Sequence, residues 1–262
     1  MKNMITKIEN SEVDSATVTQ IITNIDETLK NFDFSNKIVK KPWGYEYLMY
    51  KKENIAIWIL YIKTGCLTSM HCHLNKKTSL LVLAGEAICT TLEDGFNLKE
   101  GDGLIFDKRV FHSTQAISDN GIILMEVETP SQKTDLLRLS DNYGREAKGY
   151  ESKEKIEEIS SDLSKYEHIF FKENEFDKVK KIRNMKLTIK KLDNYGKVND
   201  FLKNLKTGTL IILDGEIMNE EKGFLTIGDI IDIQDIANTN TTCITKSLEI
   251  LHTINNENYY SP

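Results

Sequence analysis

The chain has 262 residues, 40% of them hydrophobic and 28% charged, with a net charge of −6. That length supports two domains of ordinary size, and the acidic balance argues against the basic face that nucleic acid or an anionic membrane requires. No apolar run approaches the roughly 20 residues of a bilayer span, and the N-terminal MKNMITKIENSEVDS lacks the apolar core of a secretory signal, so a cytoplasmic protein is expected.

Within residues 1–36, Ile21, Ile22, Ile25 and Leu29 recur at helical spacing behind a run of Ser, Asp and Thr. This predicts an amphipathic helix covering a sheet edge or a subunit contact. From Ile38 to about Val127 the pattern changes to short strands: Ile55–Ile62, Ser79–Leu83, Phe96–Leu98, Gly103–Phe106 and Gly121–Val127, separated by Gly, Asp and Asn turns. Residues 147–166 are rich in Lys, Glu and Ser, with Ile156, Ile159 and Leu163 spaced as on a linker helix. A second strand-rich block follows, from about 167 to 256.

The two blocks repeat one another. Leu80–Ala87 (LLVLAGEA) and Leu98–Asp107 (LKEGDGLIFD) match Leu210–Ile217 (LIILDGEI) and Leu225–Gln234 (LTIGDIIDIQ) as strand, Gly turn, strand, Gly-Asp turn, strand. The sequence therefore predicts an all-β chain of two antiparallel barrels of jelly-roll type, with an N-terminal helix and a helical linker. Its divisions are 1–36, 37–146, 147–166 and 167–262.

The histidines do not repeat. His71 and His73 are two residues apart, so on a strand they share a face with Cα atoms roughly 7 Å apart, close enough to converge on one ion. His112 follows a Gly-Asp turn and a strand, which a barrel can fold back onto the same interior. Three buried imidazoles without partners are costly, and a shared metal ion removes that cost. Cys72, between two of them, is expected on the opposite face as a core thiol. Cys66, Cys72, Cys89 and Cys243 lack CxxC spacing and read as free thiols. His168 and His252 read as structural, and nothing in the second block replaces the histidine cluster.

Gly65-x5-His71-x-His73-x4-Thr78-x6-Gly85 and Gly101-x5-Asp107-x-Arg109-x2-His112 resemble the two metal-binding motifs of cupins. The resemblance implies a bicupin in which residues 37–146 bind one divalent ion through His71, His73 and His112, and the second barrel has lost its ligands. Thr78 stands where the family's glutamate ligand is found. Lys41–Glu46 (KPWGYE), Glu126-Val127-Glu128 and Asp135–Arg145 (DLLRLSDNYGR) are similar to the cupin domain of type II mannose-6-phosphate isomerases, over about residues 40–146.

That similarity implies a metal-dependent isomerase or epimerase acting on a sugar phosphate or nucleotide sugar. Such a reaction needs a base, for which Glu126 and Asp107 are the candidates. Lys41, Arg138 and Arg145 are the candidate anion contacts, with Thr78 also placed among substrate-contacting positions. Imidazole donors suit zinc, iron, nickel or copper, and manganese is also a candidate. A three-histidine iron dioxygenase and a non-catalytic sugar-binding or assembly module are the alternatives. The expected partner is a small carbohydrate, and the expected assembly is a homodimer paired through sheet edges.

Overall fold

The computed structural model describes residues 2–21, 29, 31–146, 148–159, 166 and 168–255. The chain folds into two β-barrels of the double-stranded β-helix type. In the first, one sheet has the strand order β1 (Ile5–Ile8), β9 (Gly103–Phe106), β6 (Lys77–Ala84), β11 (Ile122–Thr129), β4 (Ile55–Ile62), β3 (Gly44–Lys52), β2 (Lys37–Lys41), β13 (Ile156–Glu158). Facing it are β10 (Ser113–Ala116), β7 (Glu86–Thr90) and β8 (Gly95–Lys99), together with the pair β12 (Leu137–Ser140) and β5 (Met70–Cys72). The second barrel sets β14 (Val179–Ile182), β15 (Met185–Leu192), β21 (Leu248–Asn255), β16 (Thr209–Asp214) and β19 (Ile230–Asp232) against β18 (Gly223–Leu225), β17 (Ile217–Asn219) and β20 (Thr241–Cys243).

The repeat in the sequence is a repeat of topology. The run β3-β4-β11-β6-β9 corresponds strand for strand to β14-β15-β21-β16-β19, and β8-β7-β10 to β18-β17-β20. Gly85 and Gly215 hold the same turn in each copy. Both adopt left-handed φ, and a Cβ there would sit 2.7 Å from the Gly121 oxygen or 2.6 Å from the Ser247 oxygen. The copies differ in two connections. Between β4 and β6 the first barrel has β5, whereas between β15 and β16 the second has helix α2 (Tyr195–Asn204). The loop between β9 and β10 is likewise replaced by helix α3 (Ile233–Asn238) between β19 and β20.

Strand alternation explains why the sequence reads as continuous apolar runs rather than as alternating ones. On β4, Ala56, Trp58, Leu60 and Ile62 fill the first barrel, while Ile55, Ile57 and Ile59 face outward. The outward set joins Leu81, Leu83, Met125 and Val127 against Leu187, Ile189, Ile211 and Leu251 of the second barrel. One face of each main sheet thus lines its own barrel, and the other packs on its neighbour, as in a sandwich. Polar ties cross the same seam: Tyr50 donates to Glu249 (2.8 Å), Lys77 pairs with Asp229 (2.8 Å), and Ser79 donates to the Gly228 carbonyl (2.6 Å).

The two helical expectations fare differently. Near the N-terminus the helix is α1 (Glu12–Gln20), formed by the Ser, Asp and Thr run itself, with a capping box between Ser11 and Asp14. Of the predicted apolar stripe, Ile22 and Ile25 lie outside the described residues. Ahead of α1, β1 adds a parallel edge to β9. In the predicted linker helix, residues 153–155 form one 3-10 turn and Ile156 enters β13, which pairs with β2, while Leu163 lies outside the described residues. Ile156 and Ile159 spaced three apart satisfy both a helix and a strand whose end leaves the sheet, and the unpaired edge of β2 decides for the strand.

Candidate metal centre

β5 and the loop after β9 meet through a hydrogen-bonded bridge. The His71 amide donates to the His112 carbonyl (3.1 Å), and the His112 amide donates to the His71 carbonyl (2.8 Å). The Arg109 amide donates to the His73 carbonyl (2.7 Å) and closes the loop. Arg109 adopts a left-handed φ of 71° in this loop.

The three imidazoles are buried, at 8%, 5% and 2% exposure, and their rings lie 4.6–5.5 Å apart. One ligand nitrogen from each ring falls within 4.8 Å of the others. Each Nδ1 faces a backbone carbonyl: His71 that of Ser69 (2.7 Å), His73 that of Asp135 (2.6 Å), and His112 that of Val110 (3.1 Å). A carbonyl can only accept, so each Nδ1 carries the proton and each Nε2 carries a lone pair.

Nε2 of His73 and of His112 is buried without a hydrogen-bond partner. Burial lowers all three imidazoles well below their usual range, His112 to about 4, with His112 adding to the effect on His71 and Lys76 to that on His73. Neutral rings with fixed tautomers and unpartnered, converging lone pairs are what a divalent ion requires. The residues fit a metal through His71, His73 and His112. Cys72 points away, into an apolar cluster with Phe111 and Leu137.

The residues around the histidines are held by polar contacts. The Asp135 carboxylate accepts from the amides of Leu74 (3.1 Å), Asn75 (2.8 Å) and Lys76 (3.0 Å), clamping the turn that follows His73. Phe106 stacks on His112 at 4.2 Å. Asp14 of α1 accepts from the Phe111 amide (3.0 Å), fixing the loop that carries His112.

The cavity beside the histidines, about 50 Å³, has room for a few water molecules. Its far wall is a buried charge network. Lys133 lies between Glu46 (3.3 Å), Glu126 (3.4 Å) and Glu128 (3.3 Å), with its ammonium 4.0 Å from the centre of the Trp58 ring. Burial opposes that charge, but the three glutamates outweigh it and raise the Lys133 pKa. Lys76 binds Glu128 at 2.6 Å, and the Tyr150 hydroxyl donates to Glu46.

Of the sequence-predicted residues, His71, His73, Glu126, Lys41, Arg138 and Arg145 line this cavity. His112 joins through its cluster with the other two imidazoles. Asp107 does not reach it. Phe106 faces inward, so alternation turns Asp107 out, where it pairs with Lys7 (3.2 Å). Thr78 lies opposite Phe106 and Glu128 on the interior face, buried, with its hydroxyl unpartnered and outside the cavity lining.

Arg138 pairs across from His71 on β12, and its guanidinium is taken up by Ser69 Oγ (3.1 Å) and the carbonyls of Arg145, Lys148 and Gly149 (2.7–3.1 Å). Sequence reasoning did not assign Lys133, Tyr150, Lys76, Glu128 or Asp135. Glu46, Glu128 and Asp135 lie within the segments that carry the resemblance, but Lys133 carries no sequence signal.

No family model matches the chain, and no curated protein matches it. Solved structures to which the chain is similar include KdgF from Halomonas sp., at 13% identity and a TM-score of 0.34 over 35% of this chain and 84% of that one. A putative sugar phosphate isomerase from Acidithiobacillus ferrooxidans is 18% identical, with a TM-score of 0.29 over 34% and 61%. The capsular polysaccharide assembling protein CapF from Staphylococcus aureus is 13% identical, with a TM-score of 0.37 over 42% of this chain and 34% of that protein. The double-stranded β-helix seen in the strand order is the cupin fold. Among the described residues, no helix is long and apolar enough to cross a membrane.

Proposed function

We propose that this chain is a metal-dependent cupin acting on a sugar phosphate or nucleotide sugar, with isomerase- or epimerase-like chemistry, and that residues 37–146 form its working domain. The observation that carries the reading is the convergence of three neutral imidazoles, two with unpartnered Nε2 atoms, on a buried cavity that also holds Glu126 and Lys133. A divalent ion held by His71, His73 and His112 would supply Lewis acidity toward a carbonyl or hydroxyl oxygen.

The chain's own groups supply the rest. Glu126 is the proposed base, since it reaches the cavity and Asp107 does not. Lys133 is held charged between carboxylates, where it can hydrogen-bond a substrate oxygen. Tyr150 stays a neutral phenol, because burial and Glu46 raise its pKa well above the usual value. It is therefore a proton donor at the cavity wall. The apolar side, with Trp43 and Leu60, excludes bulk water.

The test is metal analysis of the purified protein, followed by a panel of hexose phosphates and nucleotide sugars with and without chelator. About one divalent ion per chain, and a turnover lost on chelation, is the expected result. A metal-loaded protein that converts nothing in the panel refutes the enzymatic part.

A second reading, a three-histidine iron dioxygenase, rests on Thr78 standing where a ligand carboxylate would complete a four-residue set. Oxygen uptake with Fe(II) and a diketone or thiol separates the two. Sedimentation of the purified chain tests the expected homodimer.

A further inference from the structure

The 50 Å³ cavity lies far below the roughly 300–1,000 Å³ of small-molecule sites. Beside it lies an outer groove of about 940 Å³, and Lys41, Arg138, Arg145 and Tyr150 line both. These side chains form the partition between groove and cavity. What holds the partition closed differs from residue to residue.

Arg138 is saturated by neutral acceptors, as described above. Arg145 gives its Nε and Nη2 edge to Asp141 (3.1 and 2.7 Å) and only Nη1 to Glu151 (2.5 Å). Lys41 is less well served. Its side chain is 5% exposed, and its ammonium lies 3.9 Å from the centre of the Tyr150 ring, 3.3 Å from Glu46 and 3.6 Å from Glu151, both carboxylate distances longer than the roughly 2.7–2.9 Å of a charge-assisted hydrogen bond. Its pKa is lowered because burial outweighs both carboxylates. Glu151 itself lines the outer groove, on the segment that follows β12.

We propose that Lys41 and Nη1 of Arg145 form an oxyanion site for the phosphoryl or carboxylate group of the substrate, and that Glu151 occupies this site as a built-in competitor. An incoming oxyanion displaces the Glu151 carboxylate and keeps both cations paired. The inference deepens the function proposed above by placing the substrate's anionic group. It does not depend on a metal being bound.

The chain has two tryptophans, and both report on this region: Trp43 lines the cavity, and Trp58 lies under Lys133. Intrinsic fluorescence of the full chain, kept metal-free with chelator, is titrated with inorganic phosphate against chloride at equal ionic strength. Parallel arms use mannose 6-phosphate and glucuronate, to separate a phosphoryl from a carboxylate preference.

Removing the competitor with Glu151→Gln is expected to tighten binding of at least one oxyanion about tenfold, since the competent fraction of sites rises. Lys41→Met is expected to abolish binding. Because a buried lysine variant can fail to fold, the decisive comparison is wild type with Glu151→Gln. Equal or weaker binding by folded Glu151→Gln overturns the proposal, as does absence of binding by either protein up to on the order of 10 mM. A chain that binds oxyanions in this way but never binds metal retains this site and loses the metal-based function. The converse result does the reverse.

Discussion

Asp135 is a sensitive point of the candidate metal centre, although it does not belong to the histidine cluster. Its carbonyl receives the His73 Nδ1 proton at 2.6 Å. Its carboxylate receives four donors: the amides of Leu74, Asn75 and Lys76 and the Asn75 side chain, at 2.8–3.2 Å. In Asp135→Asn the backbone acceptor remains, but one carboxylate oxygen becomes an NH2 that must face N–H groups. At least one charge-assisted hydrogen bond is lost and one buried amide is left unsatisfied, for a combined cost of about 2–4 kcal/mol.

The turn that moves is the one leading out of His73, so the cost would also reach a metal held by the three histidines. Outer-sphere losses of this kind typically lower affinity by roughly 10–100-fold. Urea unfolding of the metal-free protein reads the first effect, and calorimetric titration with Ni(II) or Zn(II) reads the second. If Asp135→Asn unfolds at the wild-type midpoint and binds metal with wild-type affinity, the claim that this clamp sets His73 is wrong.

Acid should weaken the metal-free protein. The three imidazoles are depressed in the folded state, so between about pH 6.5 and pH 4 the unfolded chain takes up protons that the folded chain refuses. Stability falls with pH across that window by up to about 1.4 kcal/mol per unit for each imidazole, and unchanged urea midpoints between pH 7 and pH 5 would contradict this. Lys133→Met leaves three buried glutamates short of a cation and should cost about 3–5 kcal/mol by denaturant unfolding, whereas a loss under 1 kcal/mol would show the network to be dispensable. Arg109→Gly should be tolerated or mildly stabilising and Arg109→Val should cost about 2 kcal/mol, because left-handed φ is open to glycine and worst for β-branched residues. Equal melting of the two variants would refute the assignment.

Much of the architecture was legible because it is written in local patterns. Ile55–Ile62 was predicted as a strand with the boundaries that β4 has, and the duplicated strand-Gly-strand units surfaced as duplicated sheets. The histidine pairing was legible for the same reason, since a spacing of two on a strand fixes a shared face. What escaped depends on contacts between distant segments. Asp107 and Phe106 are adjacent, and which of them turns inward follows from the register of β9 against β6, which the sequence does not print. Lys133 and Tyr150 lie on segments outside the barrel strands, and only closure of the tail brings them to Glu46 and Glu126. The helical reading of Ile156 failed because an edge strand's need for a partner exceeds a weak apolar period.

The two barrels share their strands and differ in the connections between them, and the difference follows from hydrogen bonding. β5 carries His71 and His73, and its backbone is satisfied on one side by β12 and on the other by the bridge to His112. In the second barrel, no strand among the described residues stands in the place of β12. A strand in the corresponding connection would have one edge unpaired, whereas a helix satisfies its own amides and carbonyls. Helix α2 fills that connection, with Val198 and Leu202 buried in the core and Asn194 capping Lys197 (2.9 Å). The histidine strand can therefore exist only where a tail returns to pair with it. In the first barrel that returning tail, residues 135–151, also supplies the His73 anchor, the Arg138 latch and Tyr150. Losing the tail's pairing would thus remove the strand that holds two of the histidines, while the eight strands common to both copies would keep their partners.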